Sequence, residues 1–274
     1  RRQDEGDTRP SHGQAPPTQL ASSRFMSVNA RCGASLAIEG SAMMRLETIV
    51  RHGQDKQVAI IAVSELILPI TCRAAAASIC HRYQYELRTA NTDTTTTTKR
   101  GGTLLLWSTD PAYCLPLTAT KPIVDPWGRG IGILFVGKGQ RWFIVAQYGY
   151  PDIRKDALNA NQWRQTWATI ITKQRKQGAE IFVLGDQNGA VHPRDRVGKT
   201  TKGDRAVQAW AEQLDLHDSL RHADPNNHQT THTSAGSGAR IDYILTGRSS
   251  LHRAIQGGID DDLHATLSTD HSTT

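Results

Sequence analysis

The chain has 274 residues, 38% hydrophobic and 21% charged, and a net charge of +6, a mild basic excess compatible with a polyanionic partner. That composition suits a soluble globular protein, and no apolar run approaches the ~18 residues of a bilayer crossing, which argues against a membrane protein. The four cysteines, Cys32, Cys72, Cys80 and Cys114, form no CxxC pair, so free thiols in a reducing compartment are expected; residues 1–22 lack the apolar core of a signal peptide, so the chain is read as intracellular, the nucleus included, and not secreted.

Residues 1–22, polar and with three prolines, read as a flexible lead-in, and 23–274 as one domain. RFMSV (24–28) is the first strand candidate, and a helix is predicted from Met43 to Val50 with Ser41 at its start. VAIIAV (58–63) is the second strand, and the low-complexity stretch TANTDTTTTTKR (89–100) an exposed loop. TLLLW (103–107), GIGILFV (130–136) and WFIVAQ (142–147) follow, the last two joined by Gly-Lys-Gly-Gln as a hairpin. Ala160, Trp163, Trp167, Ile170 and Ile171 recur at helical spacing over 156–177. IFVLG (181–185) is a strand, and Val207, Trp210 and Leu214 predict a helix over 205–214 with Asp204 as its N-cap. RIDYIL (240–245) is the last strand, and the acidic IDDDLH (259–264) a loop. Mixed strands and helices with a hairpin mid-chain predict α/β layers on a mixed sheet.

Several strands finish on polar or ionisable groups: Asn29 after RFMSV, Ser64 and Glu65 after VAIIAV, Tyr148 after WFIVAQ, and Asp186 and Asn188 after IFVLG. Asp242 lies in RIDYIL, and Asp270-His271 stand near the end of the chain. Singly, each is what ends a strand. Together they form a chemical set, because ligand sites in open α/β sheets gather at strand ends. Asn, Glu and Asp oxygens are hard donors suited to Mg²⁺. A further Asp can position or deprotonate water, and an Asp-His pair is an oriented imidazole. Metal, water and imidazole describe phosphodiester hydrolysis.

The motifs SVNARCG, AVSELILP, KRGGTLLLWS, GRGIGILF, VAQYGYP, GDQN, ARIDYIL and TDH, in that order over about residues 24–271, resemble the endonuclease/exonuclease/phosphatase superfamily. The resemblance implies a deoxyribonuclease I-like fold, a four-layer α/β sandwich of two mixed sheets flanked by helices. It implies Glu65 as the main metal ligand, with Asn29 and Asp270 supporting it, and Mg²⁺ as the cofactor with Mn²⁺ as a substitute. Tyr148 and Asn188 would hold the phosphate or the nucleophile, Asp186 would orient or deprotonate water, and Asp242 would hold His271 against the phosphate.

Within the superfamily, the Thr/Ser/Gly-rich QTTHTSAGSGAR (229–240), GARIDYIL and the YGYP variant look like the endonuclease domains of non-LTR retrotransposons. The expected activity is DNA nicking, the expected partner DNA, and a reverse transcriptase domain would belong to the same longer polypeptide; the domain is then read as cut short at its C-terminal end. The alternatives are an abasic-site endonuclease or another phosphodiesterase of this fold, or a decayed copy that binds nucleic acid or a partner without catalysis. Arg194, Lys199, Lys202 and Arg205, with Arg196, lie in the basic stretch after GDQN and are candidate phosphate contacts; a solvated loop whose charge Asp195 and Asp204 partly cancel is the competing reading. The chain departs from the family pattern at Gln187, where an apolar residue is usual, and at Arg31, where some relatives carry an acidic ligand.

Overall fold

A computed structural model describes residues 23–32, 39–90, 102–153, 155–227, 229–234, 237–254, 263 and 267. The lead-in expected over 1–22 therefore lies outside the described residues, as do Asp270, His271 and most of the loop expected at 89–100. Of that loop, Thr89 ends a strand and Ala90 is buried.

Strand β1 (Arg24–Cys32) is followed by helix α1 (Glu39–Asp55), β2 (Val58–Leu66), α2 (Arg73–Arg82), β3 (Tyr85–Thr89) and β4 (Leu104–Ser108). The short strands β5 (Thr118–Ala119) and β6 (Ile123–Val124) precede the hairpin of β7 (Gly130–Gly137) and β8 (Gln140–Tyr148). Its turn has Lys138 and Gly139 at φ 48° and 77°, the left-handed pair that matches the twist of the strands. Helix α3 (Ala157–Lys176), β9 (Glu180–Asp186), α4 (Lys202–Gln213), β10 (Leu216–Asp218), α5 (Ser219–Ala223), β11 (His232–Ser234), β12 (Ser237–Ala239) and β13 (Asp242–Gly247) complete the order.

Two mixed sheets result, one in the order β1-β2-β4-β3 and the other β10-β13-β9-β8-β7-β5, with β6 also on β7. Successive side chains of a strand point to opposite faces, and here both faces are covered, which is why the strands read as unbroken apolar runs. In β8, Trp142, Ile144 and Ala146 pack between the sheets while Phe143 and Val145 face α3. In β9, Phe182 and Leu184 point inward and Ile181 and Val183 toward the helices. Leu104 and Leu106 of β4 join the core beneath α1 and α2, and Leu105 the central one. Three cores thus separate four layers: α1 and α2, sheet, sheet, α3 and α4. Leu263, expected in a loop, is helical and buried in the outer core beneath α1.

Two helix starts differ from the sequence reading. Helix α1 begins at Glu39 and runs to Asp55, so Ser41 lies inside it. Helix α4 begins three residues before Arg205: Thr201 is the N-cap and Asp204 is the third helical residue. Thr201 Oγ1 accepts from the Asp204 N–H at 3.1 Å, and Asp204 Oδ2 accepts from the Thr201 N–H at 2.6 Å, a reciprocal capping box. Asp204 Oδ1 also accepts from the Ala190 N–H at 2.7 Å and from Arg196 Nη2 at 2.8 Å, so one buried carboxylate ties α4 to the chain leaving β9.

Burial alone would raise the Asp204 pKa, but the hydrogen bonds from Arg196, Ala190 and Thr201 outweigh it and hold the group below 3.8. A lowered carboxylate pKa adds stability that is present above the unfolded value and is lost as pH falls through the folded one. Asp204→Ala should therefore cost about 3 kcal/mol at pH 7, and the gap to the parent should narrow below about pH 4. Urea unfolding at both pH values measures this; a gap that does not depend on pH would show that folding leaves the Asp204 pKa unchanged.

Candidate active site

Parallel neighbours end at the same edge of a sheet, and an antiparallel neighbour begins there. In the first sheet β1 runs parallel to β2, placing Asn29 beside Ser64. In the second β8 runs parallel to β9, placing Tyr148 beside Asp186, and β13 runs antiparallel to β9, so its first residue, Asp242, faces Asp186. The alternation along β9 and β8 points Asp186 and Tyr148 to the side between the sheets. Residues 29, 64, 65, 148, 186, 188 and 242 of the sequence thus meet at one edge of the sandwich.

Asp186 is the hub. Its Oδ2 accepts from Asn29 Nδ2 at 3.0 Å across the two sheets, and its Oδ1 accepts from the Asn188 N–H at 2.6 Å. Asn188 stands at φ 51°, a left-handed position that asparagine tolerates, and its Nδ2 donates to the Gly149 carbonyl at 3.0 Å. Ser64 Oγ donates to the Gln147 carbonyl at 3.1 Å and lies 3.4 Å from the Asp186 nitrogen. Thr231 Oγ1 accepts from the Ile241 and Asp242 N–H groups at 3.0 and 3.1 Å, fixing the start of β13. Gln187, the departure noted in the sequence, is buried, and its Nε2 finds no acceptor among the described residues. That is the cost of an amide where an apolar side chain would serve, about 1–3 kcal/mol.

Glu65 is half-buried near the end of β2 and adopts φ 58°, rare for a non-glycine residue. The register with β1 shifts between Asn29 and Cys32 at the same place. The turn is backed by Gly102, at φ 85°, whose carbonyl accepts from the Leu66 N–H at 3.1 Å. A Cβ on Gly102 would stand 2.6 Å from the Leu66 carbonyl carbon and 2.7 Å from the Ile67 nitrogen. The second glycine of KRGGT, Gly102, is thus explained by close backbone approach behind Glu65.

Tyr148 is buried, and its phenol is pushed far up, first by burial and then by the Glu65 and Asp186 carboxylates, so it stays protonated as a donor. Tyr150, the other tyrosine of YGYP, packs instead against Trp163 in the helix-side core, with ring centroids 6.1 Å apart. Sequence reading passed over Arg129, whose guanidinium stacks on both rings at 4.7 and 4.3 Å from their centroids. The signal was its place in GRGIGILF, but its partners lie about twenty positions away.

The basic stretch is partly ordered and is anchored at its two acidic residues. Pro193–Asp195 forms a 3₁₀ turn, Lys202 and Arg205 lie on the first turn of α4, and Arg194, Lys199, Lys202 and Arg205 are exposed. Asp195 and Asp204 are both buried, so they anchor the stretch rather than cancel its charge in solvent. Arg196 is spent on Asp204, its Nε 2.7 Å from Oδ2. Asp195 accepts from Arg221 and, at 2.9 Å, from Arg240, and Arg240 also pairs with Asp218. Tyr243 Oη, 3.1 Å from Asp195 Oδ2, accepts from the Val191 N–H at 2.9 Å. Arg240 and Tyr243, the first and last residues of R-I-D-Y, therefore hold the basic stretch, while Asp242 between them faces Asp186. The Val197 N–H donates to the Gly238 carbonyl at 2.9 Å, which brings the β11–β12 hairpin alongside.

A family model described as Endonuclease/Exonuclease/phosphatase family matches residues 27–271. Comparison with curated protein sequences finds no match. Among solved structures, the chain is similar to AP endonuclease LMAP from Leishmania major, with a TM-score of 0.70 at 13% identity over 92% of this chain and 86% of that one. It is similar to an AP endonuclease from Archaeoglobus fulgidus, with a TM-score of 0.64 at 16% identity over 92% and 97% of the two chains. It is also similar to the endonuclease domain of TRAS1, a telomere-specific non-LTR retrotransposon, with a TM-score of 0.58 at 14% identity over 92% and 95%. These likenesses establish the fold expected from the motifs: two mixed sheets flanked by helices.

Gly102→Ala should destabilise the chain by about 2–3 kcal/mol, because it combines a strained φ with a backbone clash. Thermal unfolding measures the loss, and a melting temperature equal to the parent's would mean that Leu66 moves aside at no cost.

Proposed function

The chain belongs to the endonuclease/exonuclease/phosphatase family, and from that premise we propose that it is a divalent-metal-dependent endonuclease that nicks DNA by water attack on phosphorus, leaving a 3′-hydroxyl. The observation that carries the reading is the hydrogen-bonded chain from Asn29 through Asp186 and Asn188 to Gly149, with Asp242 opposite and Glu65 at the same edge. It supports a site built from the motif residues of five strands.

The donor set suits Mg²⁺. Glu65 would be its main ligand and Asn29 and Asp270 would complete the site. All three offer hard oxygens, and among the described residues no group of three or more His, Cys, Asp or Glu could hold a metal unaided. Mg²⁺ keeps several of its waters and binds through one or two carboxylates and a phosphate. Bound there, Mg²⁺ or Mn²⁺ would neutralise charge at the scissile phosphate.

The chain's own groups supply the rest. Asp186, held by two donors, orients the attacking water and takes its proton. The protonated Tyr148 would donate to a phosphate oxygen, and the second Nδ2 hydrogen of Asn188, the one not given to Gly149, would do the same. Asp242, on the strand beside Asp186, is the partner proposed for His271, whose imidazolium would meet the charge that develops on the phosphate. Arg194, Lys199, Lys202 and Arg205 form the adjoining phosphate-contacting surface. DNA is the substrate of this reading, and a reverse transcriptase domain, which would use the 3′-hydroxyl, is its proposed partner in one polypeptide. Among the described residues no helix is long and apolar enough to cross a membrane.

Supercoiled plasmid should be nicked in millimolar Mg²⁺ and left intact in EDTA, and Glu65→Gln should abolish nicking while the protein stays folded. An abasic oligonucleotide cut in strong preference to an intact one would move the assignment to abasic-site cleavage. DNA binding without cleavage in any divalent metal would leave a binding module. Replacing Arg194, Lys199 and Lys202 together by neutral residues should weaken binding to all sequences alike. It should also make the slope of log K against log salt shallower by about 2.7, at roughly 0.9 per phosphate contact. An unchanged slope would remove these residues from the interface.

A further inference from the structure

We propose that Arg129 is a positioning residue that holds Tyr148 and Asn188 as one unit. The kinetic half of this proposal rests on the nuclease reading above; the structural half does not.

Arg129 sits on the turn into β7 and is only 5% exposed. Its backbone is pinned from behind. Asp125 Oδ1 accepts from the Trp127 and Arg129 N–H groups at 2.9 and 3.1 Å, and Asp125 Oδ2 accepts from the indoles of Trp163 and Trp167, each at 3.0 Å. The turn is thereby fixed to α3. From this base the guanidinium enters between the rings of Tyr148 and Tyr150, and Nη1 donates to the Gly149 carbonyl at 2.9 Å and the Tyr148 carbonyl at 3.3 Å. The Arg129 carbonyl in turn accepts from the Tyr148 N–H at 2.7 Å.

The consequence lies at Gly149. Its carbonyl accepts both from Arg129 and from Asn188 Nδ2, at 2.9 and 3.0 Å, so its two lone pairs are taken by these two donors. Its N–H donates to the Asp186 carbonyl at 2.7 Å. Moving Arg129 therefore moves the carbonyl that sets the Asn188 amide and the ring that carries the Tyr148 hydroxyl. A planar cation is required, because it must stack on two rings while its Nη1 reaches the carbonyls; a lysine ammonium is a point charge on a flexible stem.

The test uses the full chain and the variants Arg129→Lys, Tyr150→Leu and Asn188→Ala. Arg129→Lys should lower kcat for plasmid nicking on the order of 10²-fold, the loss that follows a misplacement of about 1 Å, with KM changed by less than about threefold. In the Asn188→Ala background the same change should cost less than about threefold, because groups that act as a unit are non-additive. In metal-free, DNA-free protein, amide hydrogen exchange at Gly149 and Asn188 should quicken by about tenfold or more, with Ile131–Leu134 unchanged. Tyr150→Leu, which removes one ring and leaves the cation, should move the same quantities in the same direction by less. If the parent chain cuts no DNA but exchange responds as stated, the lock stands and the nuclease reading alone falls. Unchanged exchange, losses that multiply in the double variant, or collapse of the fold in both Arg129→Lys and Tyr150→Leu would overturn the proposal.

Discussion

Where the motifs meet, Asn29 donates to Asp186 across the two sheets at 3.0 Å, over 157 positions of sequence. Both side chains are buried, so removing either leaves the other with a desolvated group, which costs more than the bond itself contributes. The bond therefore fixes the sheets relative to each other at this edge, and the site inherits its geometry from it. Asp186 accepts from Asn188 on its other oxygen, and Asn188 donates to Gly149. Each further contact presumes that Asp186 is already oriented.

The direction of the strands explains why such distant residues can share an edge. Asn29, Glu65, Tyr148 and Asp186 all sit toward the C-terminal ends of β1, β2, β8 and β9, two parallel pairs, and Asp242 opens the antiparallel β13. The rule that ligands gather at strand ends was enough to group these residues from the sequence. It did not say how Glu65 turns toward Tyr148. That needed the left-handed φ and the glycine behind it, and neither follows from residue type alone.

The seven long strands and the helix α3 were legible because burial on both faces, or on one helical stripe, leaves an unmistakable apolar pattern. The strand β3 was not: it is no shorter than β4, but YELRT is only partly buried and carries charged residues. Helix α2, RAAAASICHR, was missed because its alanines carry little amphipathic signal; Ala76 and Cys80 are its buried residues. Asp204 was assigned to the right helix end but the wrong position, because capping box and N-cap look alike until the threonine before them is seen to accept. The same limit hid the anchoring of the basic stretch. Local sequence offers Asp195 and Asp204 as neutralisers of nearby lysines and arginines; Asp204 does pair with the nearby Arg196, whereas the partners of Asp195, Arg221 and Arg240, come from beyond α4.

Two buried arginines now frame the site, and they share a design. Arg129 stacks on Tyr148 and Tyr150 and donates to carbonyls on one flank of Asp186. Arg240 stacks on Tyr243 at 5.3 Å and pairs with Asp195 and Asp218 on the other. Burying a cation is costly unless its donors are met, so each arginine confines the segments that meet it to one arrangement. For Arg129 those segments carry Tyr148 and Asn188; for Arg240 they carry the exposed Arg194 and Lys199, and Asp242 follows two residues later. The flanks differ in what meets the charge. On the Arg129 side neutral carbonyls and rings meet the guanidinium. On the Arg240 side two carboxylates neutralise the cation, so the surface there draws its positive charge from Arg194, Lys199, Lys202 and Arg205 instead.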